Sequence, residues 1–182
     1  MIHSNYKIIK QSYDIYIGNL LKQGKLPVKD TGIGFWGATS LSDLFELFKK
    51  VSLHHKKSFI DLGAGDGRAV LLASLFDVKS HGIEIDEELI DVALRHRREI
   101  SLPNFEKTKF LQKNYLEHDL SYYDVLYISP DKPFYRDNLD LKLQKELKGK
   151  LVVHGYDFLP RNLKKEEEHI INGEKFTVFK NF

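Results

Sequence analysis

Phe59-Ile-Asp-Leu-Gly-Ala-Gly-Asp-Gly-Arg68 carries an apolar run straight into three glycines, Gly63, Gly65 and Gly67, and then into a second apolar segment. Glycine lets a backbone turn sharply and come close to a ligand with no Cβ in the way. The stretch therefore predicts a buried strand over Ser58–Leu62, a ligand-approaching turn, and a helix over Arg68–Phe76. A dinucleotide fingerprint would need glycine or alanine where Arg68 stands. Asp61 sits inside the strand just before the turn, where a carboxylate favours a cationic ligand and repels a pyrophosphate. Arg68 opposes the dipole of a helix it begins, so it is expected to be solvated or paired.

About 20 residues further on comes Gly82-Ile-Glu-Ile-Asp86, at the end of a second strand over Ser80–Ile85. An acidic side chain at that distance from a glycine turn can hold both hydroxyls of a ribose, and Glu84 is the candidate. Its other reading, a helix-start charge, is already served by Asp86, Glu87 and Glu88. These open a helix over Asp86–Ile100 that closes on Arg95, Arg97 and Arg98, matching both ends of the macrodipole.

The alternation continues. Lys109–Lys113 and Tyr123–Ser129 read as a third and fourth strand, and Leu139, Leu143 and Leu147 mark a helix stopped by Gly149. Lys150–Phe158 reads as a fifth strand. Asn172-Gly173, between Glu168–Ile171 and Glu174–Phe179, signals a tight hairpin. Such alternation implies a mostly parallel sheet with helices on both faces, closed here by an antiparallel hairpin.

Upstream, residues 5–21 show loose helical spacing. Gly24–Thr39, with Pro27, Gly32, Gly34 and Gly37, reads as a loop, and Ser40 with Asp43 resembles a capping box for a helix ending near Lys49 and Lys50. Adjacent Phe35 and Trp36 in that loop suggest a flap that docks on something, although Trp36 could equally cover the core. The charge run Arg161–Glu168 reads as solvated surface.

The bulk numbers exclude several classes. The 182 residues fit a single domain, read as an N-terminal helix and covering loop (1–39) and an α/β core (40–182). A formal charge of +2 gives no nucleic-acid footprint by itself. The absence of cysteine removes disulfides, Cys-ligated metals and thiol nucleophiles, and fits a reducing cytoplasmic setting. The eight histidines are scattered, with no metal-ligand spacing. No apolar run reaches the length of a membrane span.

Phe59–Arg68, Gly82–Asp86 and Tyr123–Pro130 resemble the successive motifs of class I S-adenosylmethionine (SAM)-dependent methyltransferases, over about residues 35–179. Within them the chain is similar to small single-domain protein lysine methyltransferases, through Ala38-Thr39-Ser40, DLGAGDGR, GIEID, Lys113-Asn114-Tyr115 and KLQKELKGKLVVHGYDF (Lys142–Phe158). The resemblance implies a Rossmann-like α/β fold and SAM as cofactor. It implies that Asp61, Gly63, Ala64, Gly65 and Gly67 cradle the methionine end, that Glu84 holds the ribose, and that Asn114 faces the adenine edge. Tyr115 would lie against the adenine ring or serve as a core aromatic. Trp36 and Thr39 would close over SAM or line the acceptor channel.

Ser129-Pro-Asp-Lys-Pro-Phe134 ends the fourth strand, where methyl acceptors dock in this fold. It resembles the Asn/Asp-Pro-Pro-Tyr/Phe motif of amino methyltransferases, but Ser129 replaces the amide or acid and Asp131-Lys132 splits the prolines. Ser129, Asp131, Phe134 and Tyr127 are the substrate-side candidates; the alternative is a proline-stiffened loop. The expected acceptor is a protein lysine. RNA or a small molecule on the same scaffold, and a non-catalytic SAM-binding module, remain the other readings.

Overall fold

The computed structural model describes residues 2–32, 34–131 and 138–182. Helix α1 (Ile2–Lys22) precedes a two-stranded hairpin, β1 (Val28–Asp30) and β2 (Phe35–Gly37), and helix α2 (Leu41–Lys50). There follow β3 (Ser58–Leu62), α3 (Arg68–Ser74), β4 (Lys79–Glu84), α4 (Glu87–Ile100), β5 (Thr108–Gln112), β6 (Val125–Ile128) and α5 (Leu139–Glu146). The chain closes with β7 (Lys150–His154), β8 (Lys164–Ile171) and β9 (Glu174–Lys180). The large sheet has the order β5-β4-β3-β6-β7-β9-β8. Strands β3 to β7 are parallel, and β9 runs antiparallel between β7 and β8. This is the expected Rossmann-like α/β sheet with its closing hairpin.

Burial follows from the strand sequences. Val125 and Tyr127 of β6 pack in one core with α1, α2 and α3, while Leu126 and Ile128 face a second core built on α5. The central parallel strand β6, covered on both sides, is apolar throughout, and all four of its residues are buried. Helix α4 starts on Asp86, whose side chain accepts the Leu89 N–H at 3.0 Å, and ends near Arg97 and Arg98. Ser40 caps α2 through the Asp43 N–H at 3.3 Å. The Asp43 side chain does not complete a capping box; it accepts from Asn172 in the hairpin turn at 2.7 Å, joining the first core helix to the last two strands.

Several boundaries differ from the sequence reading. Gly24–Thr39 is not all loop, because β1 and β2 pair across it. Its glycines make the turn between two strands too short to show an alternation: Gly32 has φ +82°, and its N–H is accepted by Asp30 at 2.8 Å. Helix α3 stops at Ser74, two residues early. Strand β7 ends at His154, where Gly155 turns the backbone with φ +84°. Strand β8 begins at Lys164, inside the charge run. Its carboxylates pair with neighbouring lysines, Glu166 with Lys150 at 2.8 Å and Glu168 with Lys175 at 3.1 Å. A charged strand suits the outer edge of a sheet.

Arg68 is buried and paired. Its guanidinium forks over Asp66, with Nε 3.0 and 3.1 Å from the two carboxylate oxygens, and Nη1 donates to the Thr39 carbonyl at 2.9 Å. It also lies 4.9 Å from the Tyr13 ring centroid, and the Tyr13 hydroxyl donates to the Asp66 carbonyl at 2.9 Å. One ion pair thus joins α1, the glycine turn and the segment leading into α2. Removing one partner strands a buried charge, so Arg68→Ala is expected to cost about 3–5 kcal/mol in urea unfolding. Lys10→Ala, which breaks the exposed pair with Asp14, should leave the midpoint nearly unchanged.

Candidate active site

A cavity of about 360 Å³ opens above the carboxyl ends of β3 and β6. This is the position where ligands sit in parallel α/β sheets. Its floor is the glycine turn, because β3 delivers the chain to Gly63 and Ala64, whose N–H groups both donate to the Ile83 carbonyl of β4. The Glu84 carboxylate is held by three main-chain donors, Gly65 N–H at 2.9 Å, Ile85 N–H at 2.8 Å and Asp86 N–H at 3.0 Å. Those donors fix the orientation of an acidic side chain that is itself 7% exposed.

Asp61 is 4% exposed and lines the same cavity, and no cation lies within salt-bridge distance of it among the described residues. Burial, then the nearby Glu84 and Asp66 carboxyls, push its pKa well above the ordinary carboxylate value. The fold disfavours its ionised form, which a positive ligand group placed beside it would favour.

The roof is the β1–β2 hairpin. Its Trp36 indole lies over the turn so closely that a Cβ at Gly65 would fall 2.2 Å from Cδ1, and φ at Gly65 is +53°. Three contacts latch the hairpin. Phe35 N–H donates to Asp131 at 2.6 Å, Lys29 bonds Asp86 and Glu88 at 2.8 and 2.7 Å, and the Tyr127 hydroxyl hydrogen-bonds with Thr39. The aromatic pair in a glycine-rich segment is therefore a flap seated on the site.

Of the residues singled out in the sequence, Trp36, Thr39, Asp61, Gly63, Ala64, Glu84, Tyr115, Tyr127, Ser129 and Asp131 line this cavity. Gly65 and Gly67 do not. Gly65 lies under Trp36, and Gly67 is pressed against α4 and β5, where a Cβ would be 2.7 Å from both Ala93 and Phe110. Asn114 lies off the cavity, its carbonyl oxygen capping the short turn Tyr115–Glu117 through the Leu116 N–H at 2.9 Å. Phe134 lies outside the described residues.

One group was missed. His154, at the end of β7, has Nδ1 3.0 Å from Ser129 Oγ and 3.2 Å from the Tyr127 hydroxyl, while Nε2 is 3.1 Å from Glu174. Its ring stacks on Phe176 at 4.4 Å. In β7, His154 falls on the same face as Val152, which pairs with Tyr127, and that register was the only signal in the sequence.

A family model described as histone methylation protein DOT1 matches residues 29–151. Among solved structures, an RNA methyltransferase from Salinibacter ruber bound to S-adenosyl-L-homocysteine superposes with a TM-score of 0.67 at 21% identity, over 79% of this chain and 92% of that one. The yhhF protein of Escherichia coli, provisionally assigned as a methyltransferase, gives 0.62 at 15% identity over 80% and 88%. The CcbJ methyltransferase of Streptomyces caelestis gives 0.60 at 13% identity over 80% and 91%. A search among curated proteins returned no match.

The raised pKa of Asp61 fixes a sign for SAM binding. The fold disfavours the ionised carboxylate, and a ligand ammonium placed beside it favours that form, so binding releases a proton. Titration calorimetry should show SAM affinity rising with pH above the ordinary carboxylate range. Asp61→Asn should bind at least about tenfold more weakly, with that slope gone.

Proposed function

The chain belongs to the histone methylation protein DOT1 family and is a SAM-dependent methyltransferase, and from that premise we propose that it N-methylates lysine side chains of protein substrates. The carrying observation is the charge of the crevice. Asp66 is neutralised by Arg68, the single lining cation among the described residues, which leaves Asp61, Glu84 and Asp131 as the lining carboxyls that an entering cation can face. A lysine ammonium approaching this surface is attracted, whereas a phosphate backbone meets carboxylates at short range.

The residues present fit the cofactor. Asp61 would hold the amino group of its methionine part, the main chain at Gly63 and Ala64 would lie against that part, and Glu84 would take the ribose hydroxyls. Tyr115 would lie along the adenine, with Trp36 above the nucleoside. Bound there, SAM supplies a methyl group on a sulfonium, an electrophile already activated. The protein's remaining work is to orient the acceptor nitrogen, exclude water and remove its proton. Ser129, Tyr127 and Asp131 stand at the acceptor end, with Phe35 at the rim, 59% exposed and able to face a cationic side chain. Enclosure under the flap also lowers the pKa of an entering ammonium. The proposed setting is the cytoplasm; no helix among the described residues is long and apolar enough to cross a membrane.

Purified protein should be incubated with methyl-labelled SAM and cell extract, and the label followed through protease and ribonuclease digestion. The expected result is label in protein, recovered as methyllysine after acid hydrolysis and reduced at least about tenfold by Glu84→Ala. Label released by ribonuclease would replace the lysine reading with an RNA one, and label in neither polymer would leave a small-molecule acceptor.

A further inference from the structure

Four side chains on one face of the sheet form a row from the buried site to the solvent. Asp61 on β3 pairs in register with Tyr127 on β6, Val152 on β7 continues that register, and His154 lies one step above it. On β9, Phe176 pairs with His154, and Glu174 lies beyond it. Tyr127 is 2% exposed, whereas the Glu174 side chain is 56% exposed. The row therefore spans the distance between the cavity and bulk water.

The hydrogen bonds along it have one consistent polarity. A carboxylate can only accept, so Nε2 of His154 carries the proton donated to Glu174 at 3.1 Å. That leaves Nδ1 with its lone pair, facing the Ser129 and Tyr127 hydroxyls at 3.0 and 3.2 Å. Burial first, and then the Asp61 carboxyl, push the Tyr127 pKa upward, so this hydroxyl keeps its proton. Ser129 is exposed on the cavity side and lines it. An imidazole held in one tautomer by a carboxylate, with its free nitrogen on a hydroxyl at the reaction site, is a proton-accepting arrangement.

We propose that Ser129, His154 and Glu174 form the route by which the acceptor amine loses its proton. This inference rests on the amine reading above. An N–H proton of the bound ammonium passes to Ser129 Oγ as the Ser129 proton passes to Nδ1 of His154. The resulting imidazolium is stabilised by Glu174 through its Nε2–H, the neutral amine keeps its lone pair, and after methyl transfer His154 returns the Nδ1 proton to solvent through Ser129, which restores the Nε2–H tautomer. Tyr127 positions Ser129 and His154, and through Thr39 it connects the route to the flap. Ser129 touches the acceptor; His154 and Glu174 act through it. The titratable groups facing His154 among the described residues are Tyr127 from β6 and Glu174 from β9, with Asp61 behind Tyr127.

Two measurements test the route. Nitrogen-15 NMR of the labelled protein should find neutral His154 as the Nε2–H tautomer; an Nδ1–H tautomer overturns the proposal, whatever the acceptor is. Kinetics with labelled SAM and poly-L-lysine should show His154→Gln about 100-fold slower in kcat at pH 7. The deficit should shrink as pH approaches the lysine pKa, with SAM affinity by calorimetry unchanged. Glu174→Gln, at an exposed position, should show a smaller deficit of the same pH form. A deficit equal at all pH values, or one caused by lost SAM affinity, marks a structural role and overturns the route. If wild-type protein labels no amine at any pH, the lysine reading fails, and the tautomer alone decides the route.

Discussion

The Asp66–Arg68 ion pair is the constraint on which the site depends. A guanidinium out of water is costly, and here the cost is offset only because every direction around it is answered: a bidentate carboxylate, a carbonyl from the segment entering α2, and the face of Tyr13 on α1. Each of those partners belongs to a different element, so the pair is satisfied only when all of them are in place. The glycine turn between β3 and α3 has little side-chain packing of its own to hold its shape. Its conformation is imposed by Asp66 and Arg68 within the turn and by Gly67 wedged against Ala93 and Phe110.

On that platform the electrostatics are arranged by main chain as much as by charge. Glu84 is fixed by three N–H donors, while Asp61, with no such donor or cation among the described residues, is a buried acid. The two carboxyls thus differ in their surroundings although both line one cavity. One is already engaged by main-chain donors, and the other is suited to a positive charge. The flap adds an apolar cover, with Trp36 on the bare backbone at Gly65 and Asp131 gripping Phe35.

The parts written locally were the parts legible in advance. Glycines between an apolar strand and helix, an acid twenty residues on, matched charges at the ends of α4, and Asn172-Gly173 each carry their meaning within a short window. What escaped depended on register or on distant partners. Two strands of three residues, β1 and β2, offer no alternation to read. The burial of Arg68 depends on Tyr13 and Thr39, 55 and 29 residues earlier. The Asn114 oxygen caps the turn after β5, a local bond that the sequence window did not single out. In sequence His154 is one isolated histidine among eight; its contacts arise only because β7 lies between β6 and β9, which brings Ser129 and Glu174 to its two nitrogens.

The charged outer strand has a consequence beyond its own pairings. One flank of β8 is bonded to β9, and the other carries no further strand among the described residues, leaving an edge that an extended peptide could extend. An incoming strand would have to lie beside Lys164, Lys165, Glu166, Glu167 and Glu168, near ion pairs such as Lys165–Glu168 and Lys150–Glu166, while the irregularity between Lys165 and Glu167 breaks the regular spacing it would need to follow. The sheet is thereby protected from fibrillar self-association along this margin, a protection built into the surface of the native chain.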